Sequence, residues 1–262
     1  MKRVESVSCL WTGDQQAYLD QPSSKRIRHV TVGRYGGCTE GGACKNEDGF
    51  LLWLDEAEAW EFAVIVDAHS SCQSAVLILE TLQHHESSVR DILRQPLRKA
   101  VDRIERWVLD IFQSDGFLVK CRAVQGEASC LICLRIENML WWFSVGDCQL
   151  FLFHDELESW GQNSMNQRNF YEWIGQVNTF EQAVPSYSLG RRQLRTGRSG
   201  IMVMTDGYLE AEGCVSAMPD LGRGQMSGDE FLARLVRHRT VDSTTFIRWS
   251  VHNAHPAALP SS

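Results

Sequence analysis

Apolar residues along the chain fall into two rhythms. Short runs rich in β-branched and aromatic residues, bounded by polar turns, predict strands at 4–10, 27–34, 50–54 and 60–66, and again at 117–124, 129–136, 140–145, 148–153, 201–205 and 244–250. Spacings of three and four predict helices instead. Val76, Leu79, Leu82, Val89, Ile92 and Leu93 mark one over 72–93, and Val101, Ile104, Val108, Ile111 and Phe112 mark a second over 97–113, with Pro96 between them. A third is expected over 229–238, opened by Ser227-Gly228-Asp229. The tight polar turns Glu137-Asn138 and Gly146-Asp147 predict antiparallel neighbours, because a parallel crossover takes a dozen or more residues. A doubly wound parallel sheet is thereby excluded.

The remaining stretches are less regular. Pro22-Ser23-Ser24 sits in a polar loop between the first two strands. Residues 33–42 contain five glycines, too many for a helix or a regular strand, and are expected to form a flexible turn that delivers Lys45-Asn46-Glu47-Asp48-Gly49. No Gly-Lys-Ser/Thr follows and no GxGxxG register fits, so neither phosphate loop is present. Asp55-Glu56-Ala57-Glu58 makes an acidic hairpin turn. Residues 155–199 are polar, aromatic and weakly periodic, with a short helix expected at 169–177 and a basic run, Arg191-Arg192-Gln193-Leu194-Arg195 with Arg198. This stretch is either a lid or insertion near a site or a solvated loop. Residues 253–262 look like a loose tail. With no linker in view, a single domain over 1–262 is expected.

Composition narrows the function classes. The 262 residues carry a formal net charge of -7, which argues against nucleic acid or an anionic membrane as partners held by bulk charge. No apolar segment suits a secretory signal or a membrane span. The nine cysteines are odd in number and scattered, as free thiols in a reducing compartment would be, so a cytoplasmic location is expected, with a monomer as the default. Cys130 and Cys133 have the spacing of a zinc half-site, but in a strand they face opposite sides.

The candidate chemistry lies at strand ends. The run Phe62-Ala63-Val64-Ile65-Val66 leads straight into Asp67-Ala68-His69, where Asp67 suits either a metal ligand or the N-cap of the helix that follows. Asp147, Asp206 and Asp242 occupy similar positions, and Glu47 and Asp48 precede another strand. Singly, each is an ordinary turn or cap residue. Together, if they converge, their repulsion and desolvation demand cations, and an all-oxygen donor set suits magnesium or manganese better than zinc.

The order and local text of these pieces resemble the metal-dependent serine/threonine protein phosphatases of type 2C. The resemblance runs over roughly residues 27–250 through Asn46-Glu47-Asp48, Asp67-Ala68-His69, Ala128-Ser129-Cys130 leading to Gly146-Asp147-Cys148, Thr205-Asp206-Gly207 and Asp242-Ser243. It implies an α+β fold, a four-layer α-β-β-α sandwich of two antiparallel sheets flanked by helices. It also implies a centre of two Mn2+ or Mg2+ ions, with room for a third, that hydrolyses phosphoserine and phosphothreonine in a phosphoprotein substrate through a metal-bridging hydroxide. Asp67 would bridge the ions, Asp206 and Asp242 would hold one, and Glu47 with the Ala68 carbonyl would hold the other. Asp48 would orient water, Asp147 would serve the third ion, and His69 would be the general acid.

Three departures stand out. Ala68 replaces Gly, Ser243 replaces Asn, and Ala43 stands where the family usually places the Arg that grips the phosphate, leaving Lys45 or Arg34 as substitutes. The alternative is therefore a pseudophosphatase that keeps the fold and binds a partner. A thiolate mechanism on Cys72 is disfavoured, since no Cys-x5-Arg loop accompanies it.

Overall fold

The computed structural model describes residues 6–55, 57 and 59–256, so the start of the first expected strand, Glu56 and Glu58 of the acidic turn, and the tail from 257 lie outside the described residues. In chain order the strands and helices are β1 (Val7–Thr12), β2 (Ser23–Ile27), β3 (Val30–Tyr35), β4 (Gly49–Asp55), β5 (Trp60–His69), α1 (Gln73–His84), α2 (Glu86–Leu93), α3 (Leu97–Phe112), α4 (Asp115–Ala123), β6 (Glu127–Ile136) and β7 (Met139–Val145). These are followed by β8 (Gln149–Phe153), the one-turn α5 (Asp155–Glu158), β9 (Ile174–Gly175), β10 (Ser188–Gln193), β11 (Gly197–Met204), α6 (Cys214–Arg223), α7 (Gly228–His238) and β12 (Thr244–Asn253).

Two antiparallel sheets result. One has the order β1-β4-β5-β6-β7-β10, with β9 beside β6, and the other runs β2-β3-β12-β11-β8. Alternation along each strand sorts the apolar residues into three cores. Ala63, Ile65, Leu131, Leu150, Ile201, Val203 and Ile247 fill the space between the sheets. Val64, Val66, Ile132 and Phe143 face the other way, onto Leu79, Leu82, Ile104, Val108 and Phe112 of α1 and α3. Met202, Met204 and Phe246 pack outward on Leu221, Phe231 and Leu235 of α6 and α7. Three cores separate four layers, the α-β-β-α sandwich expected from the sequence. Cys130 and Cys133 fall in different cores, on opposite faces of β6, as do Trp141 and Trp142 on β7.

Several local expectations are corrected. Residues 117–124 form α4, not a strand: the Ser114 hydroxyl accepts from the Phe117 amide at 3.3 Å, and Phe117 and Cys121 bury one helical face. The Gly146-Asp147 turn does not join a hairpin. It carries the chain from β7 in one sheet to β8 in the other, where β8 pairs with β11. Both strands contribute to the core between the sheets, through Leu140 and Trp142 and through Leu150 and Leu152, so the crossing buries apolar area that a hairpin would leave on one layer. Ser23 and Ser24 begin β2, and Gly33 to Tyr35 lie in β3 rather than in a flexible turn. A β-carbon on Gly33 would stand 2.1 Å from the Phe246 ring.

The helix expected over 72–93 breaks at His85 into α1 and α2. No helix forms at 169–177, where β9 instead pairs with β6, and α6 was not foreseen. Within 155–199, β10 adds an edge strand to the first sheet, so only part of that stretch is free to act as a lid.

Candidate metal centre

Strand register brings the carboxylates to one end of the sandwich. Gly49, Val66, Cys130 and Val145 form one row across the first sheet, and Gln149, Met204, Phe246 and Gly33 form one across the second. Asp48, Asp67, Asp147 and Asp206 each sit one or two residues beyond these rows, and Asp242 lies just before β12. The N-cap position of α1 falls to Cys72, so Asp67 does not cap that helix.

Burial and mutual charge define the cluster. Asp67 is buried, and desolvation followed by the charges of Asp48, Asp242, Asp206 and Asp147 raises its pKa well above the ordinary value. Asp48 is fully enclosed and pushed up to about 7 by burial, although the Ser243 hydroxyl donates to its Oδ1 at 2.8 Å and the Thr205 hydroxyl to its Oδ2 at 3.2 Å. Asp242 rises to about 6, first through burial and then through Asp206 and Glu210. Asp206 rises through burial and Asp147, with Arg168 acting against them. Five aspartates therefore share one poorly solvated space. Ser243, which departs from the family pattern, holds Asp48, and the Glu210 carboxylate fixes the loop before Asp242 by accepting from the amides of Val241 and Asp242 at 2.8 and 2.9 Å.

Two cations of the chain itself pair with carboxylates of the candidate set. Arg168 Nη2 lies 2.6 Å from Asp206 Oδ2 and 3.8 Å from Asp147 Oδ2, with the guanidinium 4.9 Å above the Phe170 ring. Anchors on both sides hold it there. The Asn166 amide donates to Ser144 Oγ and the Cys148 carbonyl, while the Asn169 backbone amide donates to the Gly146 carbonyl at 2.9 Å. Lys45 Nζ stands 2.8 Å from Glu47 Oε2 and 3.2 Å from the Ser70 carbonyl. Glu47 Oε1 is buried without a hydrogen-bond partner. Among the described residues no group of three or more His, Cys, Asp or Glu side chains is closed tightly enough to hold a metal ion as it stands. The donor set nonetheless fits hard divalent ions: it is all oxygen, it carries an orphaned buried acceptor on Glu47, and the mutual repulsion of its aspartates would be relieved by a cation.

The other singled-out residues are placed as follows. His69 is exposed at the end of β5 with its ring edge-on to Trp173 at 4.8 Å, close enough for its charge to act on Asp206 and Asp242. Ala68 remains in the extended strand, paired with Ala128, and the positive φ of this turn falls on Ser70. Lys45 and Glu47 line a groove of about 540 Å³ shared with Asp14, Gln15, Cys72 and Gln125. Burial raises the Cys72 thiol, the opposite of what a thiolate nucleophile needs. Arg34 is committed elsewhere: its guanidinium lies 4.4 Å over the Tyr18 ring and donates to Ser23 Oγ at 3.1 Å. Ala43 is buried and offers no cation.

Sequence reasoning missed Arg168, Trp173 and Glu210. Arg168 sits in an aperiodic polar stretch, where no spacing distinguishes it from a solvated residue.

No protein-family model matches the chain, and no curated protein matches it in sequence. Solved structures do match. A bacterial serine phosphatase aligns at a TM-score of 0.60 and 13% identity, over 88% of this chain and 97% of its own. PppA of Pseudomonas aeruginosa aligns at 0.59 and 13%, over 87% and 100%. The serine-threonine phosphatase 2C of Toxoplasma gondii aligns at 0.59 and 9%, over 93% and 98%. The chain has the type 2C phosphatase fold, and at these identities the likeness is one of fold.

Proposed function

We propose that this chain is a metal-dependent phosphatase acting on phosphoserine and phosphothreonine in proteins. The observation that carries the proposal is the convergence of Asp48, Asp67, Asp147, Asp206 and Asp242 at one end of a type 2C sandwich, beside a Glu47 oxygen that has no partner within the protein. Asp67 would bridge two Mn2+ or Mg2+ ions, Asp206 and Asp242 would hold one, Glu47 and the Ala68 carbonyl the other, and Asp147 a third. When bound, such ions bring a water molecule toward neutral pKa and offset charge on the phosphoryl oxygens.

The chain's own residues supply the rest. Asp48, fixed by Ser243 and Thr205, accepts a hydrogen bond from the attacking water and holds it in line with phosphorus. As the new oxygen–phosphorus bond forms, the bond to the serine or threonine oxygen breaks, and His69 gives that oxygen its proton. Trp173 braces the His69 ring at the exposed strand end. Arg168 pairs with Asp206 and Lys45 with Glu47. These two cations would neutralise the phosphate in place of the Arg missing at position 43. The nine cysteines are unpaired, which suits a reducing compartment such as the cytoplasm. Among the described residues no helix is long and apolar enough to cross a membrane.

A binding-only role has one specific observation in its favour: Arg168 and Lys45 occupy Asp206 and Glu47, two of the carboxylates a metal would need. Purified protein given manganese should release phosphate from p-nitrophenyl phosphate and from a phosphopeptide, and Asp206→Ala should abolish this. Calorimetric manganese binding without turnover on either substrate would favour the binding module. Turnover insensitive to chelation would overturn the metal mechanism.

A further inference from the structure

A second charged assembly lies on the outer face of the other sheet, away from the carboxylates. Register places Arg26 opposite Thr31, Thr31 opposite Arg248 and Arg248 opposite Met202, so a single row crosses β2, β3, β12 and β11. Met202 packs outward with α6 and α7, which puts Arg26 and Arg248 on that outer face as well. Arg198 and His252 face each other further along the same side of β11 and β12, with Gly200 and Ser250 between. The floor between the arginines is therefore made of small residues. The helix end above is small too: Gly224 closes α6 at φ 80°, and a β-carbon there would stand 2.0 Å from Arg248 Nη2 and 3.4 Å from Arg198 Nη2. Two guanidinium tips thus meet over one glycine, beside a groove of about 520 Å³.

Counter-charge is what this assembly lacks. Several arginines elsewhere in the fold have carboxylates: Arg90 has Asp55 and Glu86, Arg135 has Glu61, Arg168 has Asp206 and Arg223 has Glu158. Among the described residues no carboxylate lies within 4.0 Å of Arg26, Arg198 or Arg248. Arg248 Nε reaches the Gly222 carbonyl at 3.4 Å, Arg198 Nη2 reaches Ser250 Oγ at 3.4 Å, and Arg26 Nε donates to the Arg28 carbonyl at 2.9 Å. Burial lowers the Arg248 pKa, and the charges of Arg198 and Arg26 lower it further. Of the acids around the groove, Glu156 is held by Arg195 and Glu158 by Arg223, and Asp155 also lines the wall. In a chain of net charge -7, three arginines on one sheet face with no carboxylate in ion-pair contact are an unfilled demand for an anion.

We propose that Arg26, Arg198 and Arg248 form a second, non-catalytic oxyanion site that takes a phosphate group, either free phosphate or a phosphorylated side chain. Forked N–H pairs on neighbouring guanidiniums suit the several acceptor oxygens of a phosphate dianion. The site stands apart from the carboxylate cluster, so it holds whether or not that cluster turns over substrate.

The test is calorimetric titration of inorganic phosphate into the full-length protein in chelator at low ionic strength, so that no metal holds phosphate at the other centre. Saturable binding is expected, weakened about tenfold or more in Arg198→Ala and in Arg26→Ala and unchanged in Arg191→Ala, whose guanidinium pairs with Asp102. Both arginines are exposed, so their loss should leave the fold intact. Phosphate should also raise the melting temperature of the parent and not of Arg198→Ala. A second arm compares a phosphopeptide with its unphosphorylated form. Selective binding of the phosphopeptide identifies a phosphorylated side chain as the ligand, and binding of phosphate alone identifies the free ion. No saturable binding, or equal binding in the parent and both arginine variants, would overturn the proposal and leave Arg248 as a cap on the α6 carbonyls.

Discussion

Arg168 sits where a metal would have to work. Its Nη2 lies 2.6 Å from Asp206 Oδ2, and both side chains are about one-quarter exposed, at 26% and 22%. A cation that takes Asp206 must first break this pair. Fully exposed ion pairs are worth about 0.2–1 kcal/mol, and hydrogen bonds to charged groups inside proteins about 1.5–3 kcal/mol. The partial exposure places this pair between the two, at about 1.4 kcal/mol, or tenfold in an equilibrium constant. Arg168→Ala also removes a positive charge 3.8 Å from Asp147, which makes the cluster more attractive to a divalent ion. The substitution is therefore expected to tighten manganese binding about tenfold. The assay is calorimetric titration of MnCl2 at fixed ionic strength, which reads metal affinity without relying on turnover. Unchanged or weaker binding in Arg168→Ala would refute the idea that the guanidinium stands in for a cation.

Other consequences follow from the same geometry. In chelator, stability should fall as pH rises from about 4 to about 7. Asp48 and Asp242 are raised to about 7 and about 6, so over that window the folded state binds more protons than the unfolded state. Manganese should reverse the loss at neutral pH, and melting temperatures that rise steadily with pH in chelator would contradict this. Glu61, whose pKa is lowered beneath 4.5 by His29 and Arg135 against the effect of burial, acts in the opposite sense only at more acidic pH. His69→Gln should cut turnover of a phosphoserine peptide by about a hundredfold or more. It should cost far less with p-nitrophenyl phosphate, whose leaving phenolate needs no proton, and equal losses on both substrates would deny His69 the role of acid. Gly146→Ala should destabilise the protein by about 2 kcal/mol in denaturant unfolding. Its backbone sits at φ 87°, and the new β-carbon would meet Ser129 Oγ at 2.3 Å, the hydroxyl that holds Asp147. Wild-type stability would show that the turn relaxes.

Strand ends were legible because β-rich apolar runs and the acids after them are both local features. The run into Asp67 and the pair Thr205-Asp206 needed no tertiary information. What was lost depended on which sheet a strand joins. The two-residue step at Gly146-Asp147 has the length of a hairpin, and only the core shared by Trp142 and Leu150 shows that it crosses between layers. Residues 117–123 carry an apolar run that suits either a strand or a helix, and the Ser114 cap with burial of Phe117 and Cys121 decides for the helix. Pro219 in the interior of α6 hid that helix. Arg168 gave no signal, since its place is set by Asn166 and Asn169 bonding into the turn beyond β7. Arg26, Arg198 and Arg248 are far apart in sequence and meet only through sheet register.

The central claim is that the converging carboxylates form a divalent-metal centre that hydrolyses phosphoproteins. It is tested most directly by phosphate release from a phosphothreonine peptide, comparing the parent with Asp67→Asn in manganese and in chelator. Release should require manganese and vanish in Asp67→Asn. The metal-free variant should melt higher than the metal-free parent, because one buried like charge has been removed. Release that persists in chelator, or that survives in Asp67→Asn at the parental rate, would contradict the account.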